Sequence, residues 1–131
     1  MADKRKTLTL LAGDNGSVQI SAELIPMIAA LAATEVEGVA SMAGNLTNEI
    51  IRKVGLGKDD SGVKIETAEN QVSAELSINI EYGRNIFEVC REVQEHVKTL
   101  IETMTGMQVS DVNVRVVNID IPRQKKSDDQ T

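Results

Sequence analysis

Aromatic residues are nearly missing from this chain of 131: it has Phe87, Tyr82 and no tryptophan. Its core must therefore be aliphatic, and there is no platform on which bases or sugars would stack. Cysteine is reduced to Cys90, which excludes an internal disulfide framework and fits a reducing compartment. No apolar run reaches the roughly 18–20 residues that a membrane span needs. The opening Met1-Ala-Asp-Lys-Arg-Lys is followed by TLTLLAGDNG, too short and too soon broken for a signal peptide. A cytoplasmic location is the expectation from these absences.

Charge is present but uneven. The formal net charge is −6, yet residues 1–6 carry a net +2 and residues 123–131 a net +1, which leaves −9 on the stretch between them. An acidic body repels phosphate backbones, so nucleic acid is not an expected partner. The short basic ends read as solubilising tails, although contact with an anionic membrane surface is the alternative for them.

What is there is pattern. In Gln71–Tyr82, QVSAELSINIEY, every second residue is apolar (Val72, Ala74, Leu76, Ile78, Ile80, Tyr82), which predicts a long strand with one wet face. Val63, Ile65 and Thr67 form a second such strand. A two-residue turn at Glu69-Asn70 would place Val63 opposite Leu76, Ile65 opposite Ala74 and Lys64 opposite Glu75. Ser17–Ser21 is a short strand candidate after the Gly13–Gly16 turn. Ser21 is placed to cap a helix in which Leu24, Ile28, Leu31 and Ala32 share a stripe, with Gly38 as a left-handed exit. Asn45–Val54 is a weaker helix and residues 55–62 an exposed loop. Asn85 and Glu88 make a capping-box-like pair for the main helix, whose stripe is Ile86, Val89, Cys90, Val93, Val97, Leu100, Ile101 and Met104. Gly106 stops it. In the last strand the apolar phase changes between Val116 and Val117, which predicts a bulge or a strand end that leaves the sheet.

This order predicts an α+β fold: a two-layer sandwich with a largely antiparallel sheet covered on one face by two main helices, the ferredoxin-like arrangement being the nearest template. Residues 1–12 read as a flexible segment, 13–122 as a single domain and 123–131 as a disordered polar tail.

The residues that carry chemistry do not assemble into a motif. Cys90 lies inside the apolar stripe, where a packed thiol is inert. His96 borders the same stripe, six positions on, and that spacing puts the two on different sides of the helix. They form neither a nucleophile–base pair nor a metal site. Gly55-Leu-Gly-Lys58 resembles a phosphate loop but has Arg52 and Asp59 where that loop needs Gly and Ser or Thr. Glu75 and Glu81 stand about 20 Å apart along one strand, too far to act on one bond, which needs under about 10 Å. Ser73, Ser77, Asn79, Asp111, Asn113 and Arg115 make a polar sheet face, either solvated or a recognition surface. No catalytic, cofactor-binding or metal-binding residue is assigned, no cofactor is expected, and the chain is not expected to be an enzyme.

Five blocks, taken together and in order, carry a resemblance. They are Gly16-Ser-Val-Gln-Ile-Ser, the alanine-rich helix ending in Glu35-Val-Glu-Gly-Val-Ala, the loop from Gly55 to Gly62, Leu76-Ser-Ile-Asn-Ile-Glu-Tyr-Gly, and Val109-Ser-Asp-Val-Asn-Val-Arg-Val. Over residues 13–121 the chain resembles the alkaline shock protein family of Gram-positive bacteria, also called envelope stress response proteins. That family often has Pro where this chain has Glu37. The resemblance implies a small cytoplasmic protein without catalysis, linked to cell-envelope homeostasis and stress. It also implies self-association and gathering near the membrane through a membrane-associated protein partner. The expectation is a non-enzymatic scaffold, with Val117, Ile119 and Ile121 as the candidate self-association surface unless the first dozen residues cover it. The alternative is a small-molecule-binding regulatory domain with a pocket between the sheet and loop 55–62.

Overall fold

The structure, a computed structural model, describes residues 7–43 and 62–122. Gln71–Glu81 forms the central strand β5, numbered after β1 (Thr7–Gly13), β2 (Gly16–Ser21), β3 (Val39–Met42) and β4 (Val63–Ala68). The helices are α1 (Leu24–Thr34) and α2 (Ile86–Thr105), and the last strand is β6 (Gln108–Asp120). The weak helix expected over Asn45–Val54, most of loop 55–62 and the polar tail lie outside the described residues.

The hairpin forms in the expected register. Val63 faces Leu76, Lys64 faces Glu75 and Ala68 faces Gln71 across the Glu69-Asn70 turn. Glu69 takes the positive φ that this turn demands, 55°, although it is not glycine. β3 pairs antiparallel with the far end of the same edge, Val39 opposite Ile80 and Met42 opposite Ile78. β3 and β4 therefore lie end to end along one side of β5. They meet at Ser77, whose carbonyl accepts from Ala43 N–H and whose N–H donates to the Gly62 carbonyl. A Cβ on Gly62 would stand 2.7 Å from the Ala43 carbonyl oxygen, so this junction needs glycine.

On its other side β5 pairs with β6 along its whole length, and this pair is parallel. A parallel neighbour needs a crossover, and α2 supplies it. The other three strand pairings are antiparallel. The phase change in β6 proves to be a bulge. Val116 faces Ile78 and Asn118 faces Asn79, which leaves Val117 as the extra residue; Ser110 is a second one that the alternation did not signal. The bulge returns Ile119 to the core side, opposite Ile80, where it packs against the core. Of the three residues expected to form a self-association surface, only Val117 and Ile121 are exposed.

The apolar face of β5 (Val72, Ala74, Leu76, Ile78, Ile80) is wholly buried. α2 covers it with Val89, Val93, Val97 and Ile101, leans on β6, and packs beside α1, which rests over β3 and β4. Asn85 caps α2 as its sequence predicts: its side chain accepts from Glu88 N–H at 2.9 Å, and Gly106 ends the helix at φ 78°. The stripe fades at both ends, where Ile86 and Met104 are exposed.

α1 departs from expectation. Its buried residues are Ile25, Ala29, Ala32 and Ala33, while Leu24, Met27 and Leu31 face outward. The small side chains let the helix axis come close to its neighbours. At its end Gly38, φ 103°, leaves no room for a Cβ, which would lie 2.7 Å from Val89 Cγ2. Helix α1 starts at Leu24 with Glu23 before it, the later of the two starts that the sequence allows and the one that accommodates Pro26, which falls in the first turn, where its missing N–H has no intrahelical partner to lose. Residues 7–12, read in sequence as flexible, belong to β1, which pairs with β2, and Leu8, Leu10 and Ile20 of this hairpin pack against the core.

Candidate functional site

The structure keeps the two soft side chains apart. Cys90 is half-buried, and burial pushes its thiol pKa up, away from the thiolate that a nucleophile needs. His96 turns instead to the end of α1, its Nε2 lying 2.7 Å from Glu35 Oε1. This bond has no sequence signal, because it joins residues 61 positions apart on two elements. It lies in a recess of about 430 Å³ lined by Glu35, Val36, Glu37, Glu92, Glu95, His96 and Thr99. A second recess of about 330 Å³ follows the end of α2, from Lys98 and Glu102 to Gly106–Ser110. Among the described residues no three His, Cys, Asp or Glu side chains are grouped to hold a metal ion. The phosphate-loop candidate and the pocket expected against loop 55–62 fall outside the described residues.

The carboxylates are occupied in structural roles. Glu75 pairs with Arg115 of β6 at 3.4 Å, and Glu81 accepts from Arg84 at 3.2 Å. Arg84 also reaches Glu37 at 3.2 Å, so it ties the end of β5 to the chain leaving α1. On the polar sheet face Asp111 accepts from Ser110 at 2.7 Å, Ser73 at 2.9 Å and Asn113 at 2.7 Å. These three bonds favour its charged form and hold its pKa below the usual carboxylate value. Glu102 is held low in the same way, first by Val109 N–H and then by the Lys98 ammonium, and it pins the end of α2 to the start of β6. Asn79 donates to Ser41 at 3.0 Å across β5 and β3. Ser73, Asn79, Asp111, Asn113 and Arg115 of this face are thus bonded to neighbours on it.

The unsatisfied surface is apolar. A helix that is apolar on every side belongs in an interior. α1 runs LIPMIAALAAT without one charged residue, yet Leu24, Met27 and Leu31, the last 58% exposed, form an outward stripe. A second apolar group sits where β5 and β6 end and α2 begins: Tyr82, Ile86, Phe87 and Ile121. Periodicity predicts one buried stripe for α1. The signal for the second face is the absence of any charge from the helix.

No helix among the described residues is long and apolar enough to cross a membrane.

Comparison with known proteins gives a consistent picture. The profile of the alkaline shock protein 23 family, described as having a cell envelope-related function, matches residues 11–121. The uncharacterized protein YqhY of Bacillus subtilis (strain 168) is 32% identical over 79% of this chain and 77% of its own. YloU of the same organism is 33% identical over 79% of this chain and 88% of its own. A stress response regulator gls24 homolog of Streptococcus pyogenes is 26% identical over 92% of this chain and 68% of its own. Among solved structures, a MamM CTD variant superposes with a TM-score of 0.53 at 16% identity, over 83% of this chain and 98% of that chain. That likeness concerns the fold alone.

Proposed function

The chain belongs to the alkaline shock protein 23 family, whose function is cell envelope-related, and from this premise we propose that it is a non-enzymatic scaffold that self-associates through the outer face of α1. The observation that carries the reading is the uncharged stripe Leu24, Met27, Leu31 on a helix whose inward face is already filled by Ile25 and three alanines. Exposing large aliphatic side chains while burying small ones gains nothing for a lone domain. It suits a helix with a second contact to make.

The size of the stripe indicates what kind of contact that is. Three partly exposed side chains offer on the order of a few hundred Å², against about 800 Å² per partner in a stable interface. The assembly is therefore weak per contact and forms as local concentration rises, as suits a protein gathered at an envelope under stress. A gls24 homolog among its relatives bears the name of a stress response regulator, which agrees with that setting. The working location is the cytoplasmic side, with a membrane-associated protein as the further partner.

Light scattering on the full chain across concentration, with refractive-index detection, tests this. The mass of the wild type should rise with concentration, and Met27→Glu with Leu31→Glu should stay monomeric, with a melting temperature equal to that of the wild type at dilutions where the wild type is also monomeric. A wild type monomeric throughout, or a double variant that still assembles, overturns the reading. A double variant that melts lower than the monomeric wild type would assign the stripe to contact within the chain and overturn it equally.

A further inference from the structure

β6 has an outer edge that the fold closes only in part. Gln108 N–H donates to the Asn70 carbonyl, and the Asp120 carbonyl accepts from Tyr82 N–H, which fixes the alternation along the pair with β5. Asp111, Asn113, Arg115, Asn118 and Asp120 turn their main-chain groups toward β5, while Val109, Val112, Val114, Val116 and Ile119 turn theirs away from it. No strand among the described residues pairs with that outer side. Side chains close its two ends instead. Glu102 accepts from Val109 N–H at 3.0 Å, Lys98 donates to the Val109 carbonyl at 3.3 Å, and Gln94 donates to the Val112 carbonyl at 2.9 Å. Just past the Val117 bulge, Ile119 N–H donates to Asn118 Oδ1 at 2.9 Å. Between these caps the N–H and C=O groups of Val114 and Val116 have no partner among the described residues. The line of α2 that supplies Glu102, Lys98 and Gln94 continues to Arg91 and Phe87. Those two turn to each other, the guanidinium 6.0 Å from the ring centre, and Arg91 lies 3.8 Å from Glu95, so neither caps the edge.

We propose that this gap receives an extended segment of another protein, apolar at every second residue and with Lys or Arg at its ends, as an added antiparallel strand. The unmet groups are main-chain donors and acceptors at strand spacing, and a peptide backbone meets both kinds in register. The antiparallel pairing is the more stable per residue and needs no crossover.

The pleat and the charges set the segment's chemistry. Side chains opposite Val112, Val114 and Val116 lie on the helix-covered side of the sheet, where Val114 and Val116 are only half-buried and Phe87 is 70% exposed. Those positions call for apolar residues. On the polar side Arg115 stands in the middle, already paired with Glu75, and disfavours a cation opposite it. Asp111 and Asp120 flank it, and they favour a cation at either end of the segment. A second copy is a poorer occupant, because each carries −9 between its basic ends and the two bodies repel. The site is on different residues from the outer face of α1, and it stands whether or not that face mediates assembly.

The probe is the peptide Lys-Val-Thr-Val-Thr-Val-Lys, blocked at both ends. It is added to the full chain carrying Met27→Glu and Leu31→Glu, so that assembly through α1 neither mimics nor hides binding. Amide hydrogen exchange followed by NMR reads the edge residue by residue. In the free chain Val114 and Val116 N–H should exchange fast, and Asn113 and Arg115, bonded to β5, slowly. Excess peptide should slow Val114 and Val116 about tenfold or more and leave Asn113 and Arg115 unchanged. N-methylation of the peptide's valines removes the N–H groups that would face β6 and should weaken binding about tenfold or more. Glu in place of both Lys should weaken it about fivefold. No change on adding the peptide, or equal binding by the methylated or the Glu-ended peptide, overturns the proposal. Slow exchange of Val114 and Val116 in the free, dilute chain means that the chain covers its own edge, and overturns it. Protection that grows with protein concentration alone assigns the edge to a second copy and overturns it too.

Discussion

α2 turns Val89, Val93, Val97 and Ile101 inward and its charges outward, whereas α1, packed beside it, turns alanines inward and leucines outward. The caps differ as well. α2 has Asn85 on its first turn and a left-handed Gly106 at its end, while the residue before α1, Glu23, makes no side-chain capping bond and α1 has no charge in its first or last turn. α2 is thus complete within one chain: locally specified, amphipathic and bonded to β6 through Glu102 and through Gln94, whose amide donates to the Val112 carbonyl. α1 draws its stability from tertiary packing and keeps an apolar face to spare. The contrast teaches that amphipathic patterning finishes α2 within the chain, while α1 leaves Leu24, Met27 and Leu31 exposed.

The largest effect that tests this contrast comes from matched truncations. Ile101→Ala, at a wholly buried site, should cost about 3 kcal/mol in urea unfolding. Leu31→Ala, a truncation of similar size on α1, should change stability by less than about 0.5 kcal/mol while lowering the assembled mass. Equal stability costs would erase the distinction between the helices. A middle effect sharpens it: Asn85→Ala should cost about 1 kcal/mol and fray the start of α2, a loss for which α1 has no counterpart.

The smallest effect is in acid. Glu102 has a folded-state pKa below its ordinary value of about 4.3. Its contribution is therefore fully present above that ordinary value and is lost as pH falls through the folded value. Urea midpoints measured between pH 5 and pH 2 should fall for the wild type and fall less for Glu102→Gln. Asp111, also held low, gives the sheet a parallel acid sensitivity that Asp111→Asn should reduce. Leu31→Ala should leave the shape of the acid limb alone, since α1 itself carries no titratable group.

Much of the fold was legible because its signals are local. The alternation of β5, the Glu69-Asn70 register, the Asn85 cap and the Gly106 stop each depend on a few neighbouring residues, and each holds in the structure. The phase change in β6 located the bulge at Val117, but which face Ile119 would take depended on the pairing with β5. The candidate surfaces were less legible. Tyr82 closes the alternation of β5 on its apolar face and Leu31 fits a helical stripe, so periodicity alone puts both in the core. Exposure depends on where an element ends relative to its cover, which no single segment encodes.

The sequence by itself determined the aliphatic core, the β4–β5 hairpin and the ends of α2, because composition and short-range periodicity are sufficient for these, and its ordered motifs carried the family. The tertiary structure decided the parallel pairing of β5 with β6, the end-to-end seating of β3 and β4 at Ser77, the bond between His96 and Glu35, and the outward turn of Leu24, Met27 and Leu31. Those features join residues far apart in the chain. Their free energies come from competition among packings of the whole domain, with alanines filling the narrow space under α1 that leucines could not enter.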